Sequence, residues 1–136
     1  MAIDYYNQNA ETYFSNTFEM NMSGLYDKFT CYLHENSKIL DAGCGSGRDV
    51  LAFKKMNYKV VGFDASIEMV KLARKYTNEK INHLNFENFS EYNKYNGIWC
   101  CASLLHVPYP KLDSIISRLG QALKSNGVCY LSFKYG

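Results

Sequence analysis

Three glycines at alternate positions lie between an apolar run and a helical pattern. The apolar run, Lys38 to Ala42, is typical of a strand, and Gly43, Gly45 and Gly47 separate it from a helix that we expect to begin at Arg48. Missing side chains let a ligand lie against the backbone, and the first turn of the helix offers free N–H groups and a positive dipole end. This glycine turn therefore predicts an α/β fold with a ligand site where the first strand ends.

The rest of the chain alternates strands and helices with short connections. The expected strands are Lys38–Ala42, Tyr58–Phe63, Ile81–Phe86, Gly97–Ala102 and Val128–Phe133. The expected helices are two in the N-terminal segment 1–36, then 48–56, 66–76 and 112–123, the last stopped by Ser125-Asn126-Gly127. This order predicts a doubly wound, Rossmann-like, mostly parallel sheet of five strands over 37–136, with helices on both faces.

Length, charge and histidine spacing exclude several classes of function. The 136 residues fit one domain, since a domain holds roughly 100–200 residues. The net charge of +2 gives no large field for attracting nucleic acid or an anionic membrane. No apolar run reaches about 18 residues, and the three histidines lack metal-ligand spacing. We therefore expect a single domain, 1–136, with no nucleic acid, no membrane and no metal as partner.

The five cysteines indicate a reducing compartment. They form an odd set without a C-x-x-C pair, so we expect a cytoplasmic protein. Cys44, Cys100, Cys101 and Cys129 lie in or beside apolar runs and have no neighbouring base in the sequence. Buried small apolar side chains are their simplest interpretation.

Two carboxylates restrict the ligand that the glycine turn can take. A dinucleotide fingerprint needs a small sixth residue, which counted from Gly43 is Arg48, and no Gly-Lys-Ser or Gly-Lys-Thr follows the turn. Asp41 would oppose a pyrophosphate but suits an ammonium group, and Asp64 ends the second strand where a carboxylate can bind a ribose diol. A nucleoside attached to an amino acid satisfies both. The alternative is a plain strand-to-helix connection with Asp64 as a turn or capping residue.

Four segments in the same order resemble the class I S-adenosylmethionine-dependent methyltransferases, specifically the small-molecule enzymes similar to the tellurite-resistance type. The segments are DAGCGSGRD at Asp41 to Asp49, VVGFDAS at Val60 to Ser66, IWCCASLLHVP at Ile98 to Pro108 and GVCYLSFKYG at Gly127 to Gly136. The resemblance spans nearly the whole chain, from Tyr5 to Gly136. It implies methyl transfer from S-adenosylmethionine to a small-molecule nucleophile, with S-adenosylhomocysteine as product.

The resemblance also implies a role for individual residues. Gly43, Cys44 and Gly45 would cradle the methionine part of the cofactor, with Asp41 near its amine and Asp64 on the ribose hydroxyls. The further contacts that it implies are Ala65 and Met69 beside the adenosine, Asn85 and Phe86 at the adenine edge, Cys101 and Ala102 at the methionine end, and Tyr13 closing over the cofactor. His106 is the candidate base toward the methyl acceptor, although it could equally hydrogen-bond within its own loop.

The chain departs from the family pattern in two respects. Asn85 and Asn88 stand where relatives commonly have Asp, so the adenine amine would meet an amide oxygen. The family fold continues after the fifth strand with an antiparallel hairpin, and the resemblance ends before it. We therefore expect a chain without the C-terminal part of the fold, whose fifth-strand edge is open to homodimerisation. A catalytically inactive cofactor-binding or interaction module is the alternative function.

Overall fold

The computed structural model describes residues 22–101 and 103–132, without the side chains at 105 and 106. Its elements in chain order are α1 (22–30), β1 (Lys38–Ala42), α2 (Arg48–Lys55), β2 (Lys59–Asp64), α3 (Ile67–Thr77), β3 (Ile81–His83), β4 (Tyr95–Cys101), a short 3-10 helix (Ser103–His106), α4 (Tyr109–Ala122) and β5 (Leu123–Ser132). The first of the two expected N-terminal helices lies outside the described residues.

The five described strands form one parallel sheet in the order β3-β2-β1-β4-β5. From β1 the chain proceeds outward through β2 to β3, and it then crosses to the other side of β1 for β4 and β5. The strand order therefore reverses between β1 and β4, and a crevice forms at their carboxyl ends. This arrangement confirms the doubly wound, Rossmann-like fold predicted from the alternating pattern.

Helices cover both faces of the sheet. In β1, Ile39 faces the side of α1, α2 and α3, and Leu40 faces the side of α4, because successive strand residues point in opposite directions. Both side chains are fully buried, as the apolar sequence of a two-sided parallel strand predicts.

Two element boundaries differ from the sequence prediction for local reasons. β3 ends at His83 instead of Phe86, because the side chain of Asn85 accepts a hydrogen bond from the Asn88 N–H at 2.8 Å and turns the chain. The predicted stop at Ser125-Asn126-Gly127 is instead an irregularity inside β5, which already pairs with β4 from Leu123 onward.

The last strand lies at the edge of the described sheet, where β4 is its one described neighbour. The homodimer through this edge stays a prediction, and Phe133 lies outside the described residues. Over 22–101 and 103–132, no helix is long and apolar enough to cross a membrane.

Gly120 offers a test of the helix assignment near the end of α4. It is exposed, and a Cβ built on it would meet nothing within 4 Å. Since alanine restricts the unfolded chain and favours helix, we expect Gly120→Ala to raise the free energy of unfolding by about 0.5–1 kcal/mol. Chemical denaturation of both proteins measures this change. A destabilised variant would contradict the assignment.

Candidate functional site

The glycine turn is fastened to the end of β2 by three backbone N–H groups. The N–H groups of Gly43 and Cys44 both donate to the carbonyl oxygen of Phe63 at 2.9 Å. The N–H of Gly45 donates to Oδ1 of Asp64, also at 2.9 Å. The turn therefore lies directly against the carboxylate that the sequence assigns to a ribose.

All three glycines of the turn have left-handed backbone conformations, and the surroundings of Gly43 and Gly45 differ. At Gly43, φ is 75°, and a Cβ would lie 2.4 Å from Cβ of Ser103. At Gly45, φ is 57°, and a Cβ would meet nothing within 4 Å. Gly43 is therefore required by packing against the 3-10 helix, whereas Gly45 leaves open space beside the backbone.

A cavity of about 490 Å³ opens at the crevice between β1 and β4. This volume is within the range of roughly 300–1,000 Å³ that is usual for small-ligand sites. Seven of the residues predicted from the sequence line it, namely Gly43, Gly45, Asp64, Ala65, Asn85, Phe86 and Cys101. These residues come from four segments of the chain, which meet where the fold class predicts a ligand.

The remaining predicted residues are not on the wall of this cavity. Asp41 is buried at the end of β1, the sulfur of Cys44 lies above Gly62 on β2, and Met69 is half-buried in the first turn of α3. The roles that the resemblance implies for these three residues stay predictions. Tyr13, Ala102 and the side chain of His106 lie outside the described residues.

Both carboxylate oxygens of Asp64 accept hydrogen bonds from backbone N–H groups. Oδ1 accepts from the Gly45 N–H, and Oδ2 accepts from the Ser66 N–H at 3.0 Å. Ser66 in turn caps α3 by accepting from the Met69 N–H. The turn-residue interpretation and the ribose interpretation of Asp64 are compatible, because each ionised oxygen has a second lone pair for a ligand hydroxyl.

Asp41 carries a buried polar atom that calls for an explanation. It is 2% exposed, and among the described residues its Oδ2 has no hydrogen-bond partner. Burial raises the pKa of this carboxyl well above its usual range, and the negative charges of Asp49 and Asp64 raise it further, against the opposing effect of Arg48. A cation arriving at this carboxyl would compensate the cost of burying it.

The segment after β3 forms one wall of the cavity. The ring of Phe86 packs edge-on against Phe63 with centroids 5.2 Å apart. Lys111 pairs with the carboxylate of Glu87, and Arg118 donates to the backbone oxygen of Glu87, so α4 holds this wall in place. The oxygen of Asn85 that was expected to meet the adenine amine already accepts from the Asn88 N–H, which leaves it one lone pair for a ligand.

The cavity cysteine and its neighbour in the turn are not reactive thiolates. Burial raises the pKa of the Cys44 thiol, and the nearby carboxylates of Asp41 and Asp64 raise it further. Burial and then the charge of Asp49 raise the pKa of the Cys101 thiol. Both thiols stay protonated, as expected for small apolar side chains. The prediction of a buried side chain is wrong for Cys129, which is exposed on β5.

The structure adds cavity residues that the sequence pattern did not reveal. They are Phe63, Leu84, Glu87, Ser103, Val107, Pro108 and Ile115. Ser103 follows directly from the switch-point geometry, since its hydroxyl donates to the carbonyl oxygen of Ala42 at 2.7 Å and joins the ends of β4 and β1. Ile115 carries no local signal, because its side chain reaches the cavity only through the packing of α4.

The sequence of the chain is similar to that of a known protein family. Residues 39–127 match the family model described as a methyltransferase domain. The chain belongs to this methyltransferase domain family. The matched range contains the glycine turn, Asp64, β2, β3 and β4, nearly all of β1 and the first half of β5.

Individual relatives agree with this assignment. A ubiquinone biosynthesis O-methyltransferase of Pasteurella multocida is 32% identical over 70% of this chain and 45% of its own length. A crystal structure of a SAM-dependent methyltransferase from Methanosarcina mazei is 30% identical, with a TM-score of 0.63 over 68% of this chain and 50% of its own. PKMT2 of Rickettsia typhi, solved with AdoHcy, is 28% identical, with a TM-score of 0.65 over 73% and 21%.

The Methanosarcina mazei and Rickettsia typhi proteins are described as using S-adenosylmethionine or binding its product form, AdoHcy, which agrees with the cofactor that the sequence predicts. The chain spans about half the length of the first two relatives. The residues of this methyltransferase domain fit the cofactor on two independent observations. Gly45 leaves open space beside the backbone, and Oδ2 of Asp41 is buried without a described partner, as a cradle with a cationic amine beside it requires.

The two glycines provide a matched pair of substitutions. We expect Gly45→Ala to place a methyl group in the open space and weaken cofactor binding, with a cost of about 1–2 kcal/mol in folding stability for its left-handed backbone. Gly43→Ala should lose more stability than Gly45→Ala, because its methyl group overlaps Ser103. Thermal denaturation and S-adenosylhomocysteine titration of both variants measure the two effects. Equal stability losses would contradict the packing described for Gly43.

Proposed function

We propose that this chain is the cofactor-binding part of an enzyme that transfers the methyl group of S-adenosylmethionine to a small-molecule nucleophile. The observation that carries the proposal is the cavity at the switch point, where the glycine turn and Asp64 lie in hydrogen-bond contact. The turn is open at Gly45, and the acidic residue is held by two backbone N–H groups. A preorganised site of this kind binds with little loss of conformational freedom.

The two ends of the cavity suit the two ends of the cofactor. Phe86 and Ile115 offer apolar surface for the adenine, and the half-buried carboxylate of Asp64 suits the ribose between them and the turn. Gly43, Gly45 and Cys101 border the end where the methionine part would lie. The buried carboxyl of Asp41, at the base of the same turn, would compensate the ammonium charge of that part.

The protein contributes mainly positioning to such a reaction. S-adenosylmethionine, when bound, supplies a methyl group on a positively charged sulfur that is already activated toward nucleophiles. The fixed turn, Asp64 and the cavity walls would hold the sulfur in one place, and a correctly aligned acceptor then reacts without further activation. His106 follows β4 and is our candidate for taking a proton from the acceptor.

A small metabolite with an oxygen nucleophile is the acceptor class that we favour. Support comes from the name of the Pasteurella multocida relative, which describes an O-methyltransferase of ubiquinone biosynthesis. The resemblance to the tellurite-resistance type instead suggests a metalloid oxyanion, and nitrogen or sulfur nucleophiles remain open.

The formation of S-adenosylhomocysteine in the presence of candidate acceptors tests the proposed reaction. We expect turnover with a phenolic or other hydroxylated metabolite, reduced in His106→Ala and unchanged in the control His34→Ala, on the segment before β1. Tight cofactor binding without product from hydroxylated, amine, thiol and metalloid acceptors would instead support the inactive binding module.

A further inference from the structure

Asp49 is a buried carboxylate that the proposed cofactor cavity does not use. It is the second residue of α2, directly after the glycine turn, and it is 6% exposed. Its side chain is not on the cavity wall. A charge buried to this extent requires several hydrogen-bond donors around it.

The donors come from three separate elements of the fold. Trp99 on β4 donates its indole N–H to Oδ2 of Asp49 at 2.9 Å. Arg48 donates to both carboxylate oxygens, at 3.0 and 3.2 Å. The hydroxyl of Tyr26 on α1 donates to Oδ1. Asp49 therefore joins α1, the start of α2 and the interior strand β4.

The aromatic side chains around Asp49 seat α1 against the rest of the fold. The ring of Tyr26 lies 5.0 Å from Phe53 and 5.4 Å from Trp99, measured between centroids. Phe29, one turn further along α1, contacts the same two rings. A Cβ at Gly97 would lie only 2.7 Å from Phe29, so α1 approaches β4 as closely as glycine permits.

The hydrogen-bond network of Asp49 is adjacent, in sequence and in strand register, to residues at the cavity and the glycine turn. Trp99 is the register partner of Asp41 across β1 and β4, and it precedes the cavity residue Cys101 by two positions. Asp49 follows Gly47 by two positions, and its carboxylate raises the pKa of the buried Asp41 carboxyl. Any rotation of the Asp49 side chain therefore disturbs both the start of α2 and the surroundings of the glycine turn.

We propose that Asp49 is a positioning residue that couples the docking of α1 to cofactor binding at the glycine turn. The inference rests on the proposed function. While Tyr26 is docked, the carboxylate of Asp49 is fully hydrogen-bonded and fixes the first turn of α2. When α1 separates, a buried charge loses a donor and the turn loses its fixed support. Because coupling between two sites is reciprocal, a bound cofactor must also strengthen the docking of α1.

Tyr26 is a permanent donor in this arrangement. Burial raises the pKa of its hydroxyl, and the charge of Asp49 raises it further. The phenol therefore stays protonated at all physiological pH values, and its hydrogen bond is interrupted only when α1 moves. Tyr26→Phe removes this one hydrogen bond and keeps the ring that packs on Phe53 and Trp99.

The experiment compares Tyr26→Phe with Tyr32→Phe, a matched control at a residue that is 69% exposed and lies just after α1. We expect Tyr26→Phe to weaken S-adenosylhomocysteine binding roughly two- to thirtyfold, the usual range for residues that couple two sites. Tyr32→Phe should bind as the unmodified chain does. Asp49→Asn should weaken binding at least as much as Tyr26→Phe, and the double variant should lose less than the two single effects combined.

Two further readouts separate coupling from a general loss of structure. Hydrogen exchange should show that S-adenosylhomocysteine slows exchange of the 22–30 amides in the unmodified chain and in Tyr32→Phe, but much less in Tyr26→Phe. Trp99 is the one tryptophan of the chain and is completely buried, so its emission should respond to the ligand through Asp49 in the unmodified chain. That response should be absent in Asp49→Asn.

The outcomes distinguish this inference from the proposed function. If the unmodified chain does not bind S-adenosylhomocysteine, the proposed function itself fails. If it binds, but the 22–30 amides exchange equally fast with and without ligand and Tyr26→Phe binds like Tyr32→Phe, the coupling is refuted and the proposed function stands.

Discussion

Replacing Asp64 by alanine is expected to weaken S-adenosylmethionine binding about ten- to hundredfold. The variant would lose the charged hydrogen bonds between the Asp64 carboxylate and the ribose hydroxyls, which are worth roughly 1.5–3 kcal/mol. The substitution would also leave the Gly45 N–H and the Ser66 N–H without the carboxylate oxygens to which they donate at 2.9 and 3.0 Å. Calorimetric titration of the purified variant measures the affinity.

Asp113→Ala is the matched control for this substitution, because Asp113 is exposed on α4 and does not line the cavity. It should bind as the unmodified chain does. The affinity of Asp64→Asn should lie between those of Asp64→Ala and Asp113→Ala, since the amide oxygen is still an acceptor but carries no charge. An affinity for Asp64→Ala that equals that of Asp113→Ala would remove Asp64 from the site.

Replacing Asp41 by asparagine is expected to stabilise the chain and to weaken its affinity for S-adenosylmethionine about tenfold or more. The substitution removes an acid whose ionised form is destabilised by burial and by the nearby Asp49 and Asp64. It also removes the carboxyl that would ionise beside the cofactor ammonium group and form a charge-assisted contact with it. Stability and affinity should therefore change in opposite directions.

A ligand without the amino acid part separates the roles of the two carboxylates. The nucleoside 5′-methylthioadenosine has the ribose and adenine but no ammonium group. Its affinity should be reduced in Asp64→Ala and unchanged in Asp41→Asn. Equal losses for S-adenosylmethionine and 5′-methylthioadenosine in Asp41→Asn would show that Asp41 does not face the amine.

The raised pKa of Asp41 also determines how stability depends on pH. The folded chain holds the proton of Asp41 at pH values where the unfolded chain has released it, with an ordinary Asp pKa of about 3.9. The stability of the unmodified chain should therefore fall as pH rises between the unfolded and the folded pKa of Asp41, by at most about 1.4 kcal/mol per pH unit for this one group. The slope should be smaller in Asp41→Asn, and urea denaturation at a series of pH values measures it.

The sequence predicts the parts of this fold whose signals are local. β1 has the predicted bounds, Lys38–Ala42, because an apolar run ends abruptly at glycine. The proximity of the glycine turn to Asp64 could be predicted from the sequence, since parallel neighbouring strands end at the same edge of a sheet.

The remaining features depend on contacts that no local pattern reveals. Asp49 receives hydrogen bonds from Tyr26 and Trp99, which are 23 and 50 positions away in the sequence. The hydroxyl of Ser103 meets β1 across 61 positions. Asn85 could be assigned to the cavity from its place after β3, but its hydrogen bond to the Asn88 N–H arises from a turn that shortened the expected strand.

Mapping S-adenosylhomocysteine onto the backbone amides by heteronuclear NMR tests the proposed site most directly. We predict that saturating ligand shifts the amide signals of Gly43, Gly45, Asp64, Ala65 and Phe86 most strongly, with the exposed face of α4 around Asp113 unchanged. NAD at the same concentration should leave the glycine turn unaffected. Ligand-induced shifts that cluster away from the ends of β1 and β2, or equal shifts with NAD, would contradict a cofactor site at this turn.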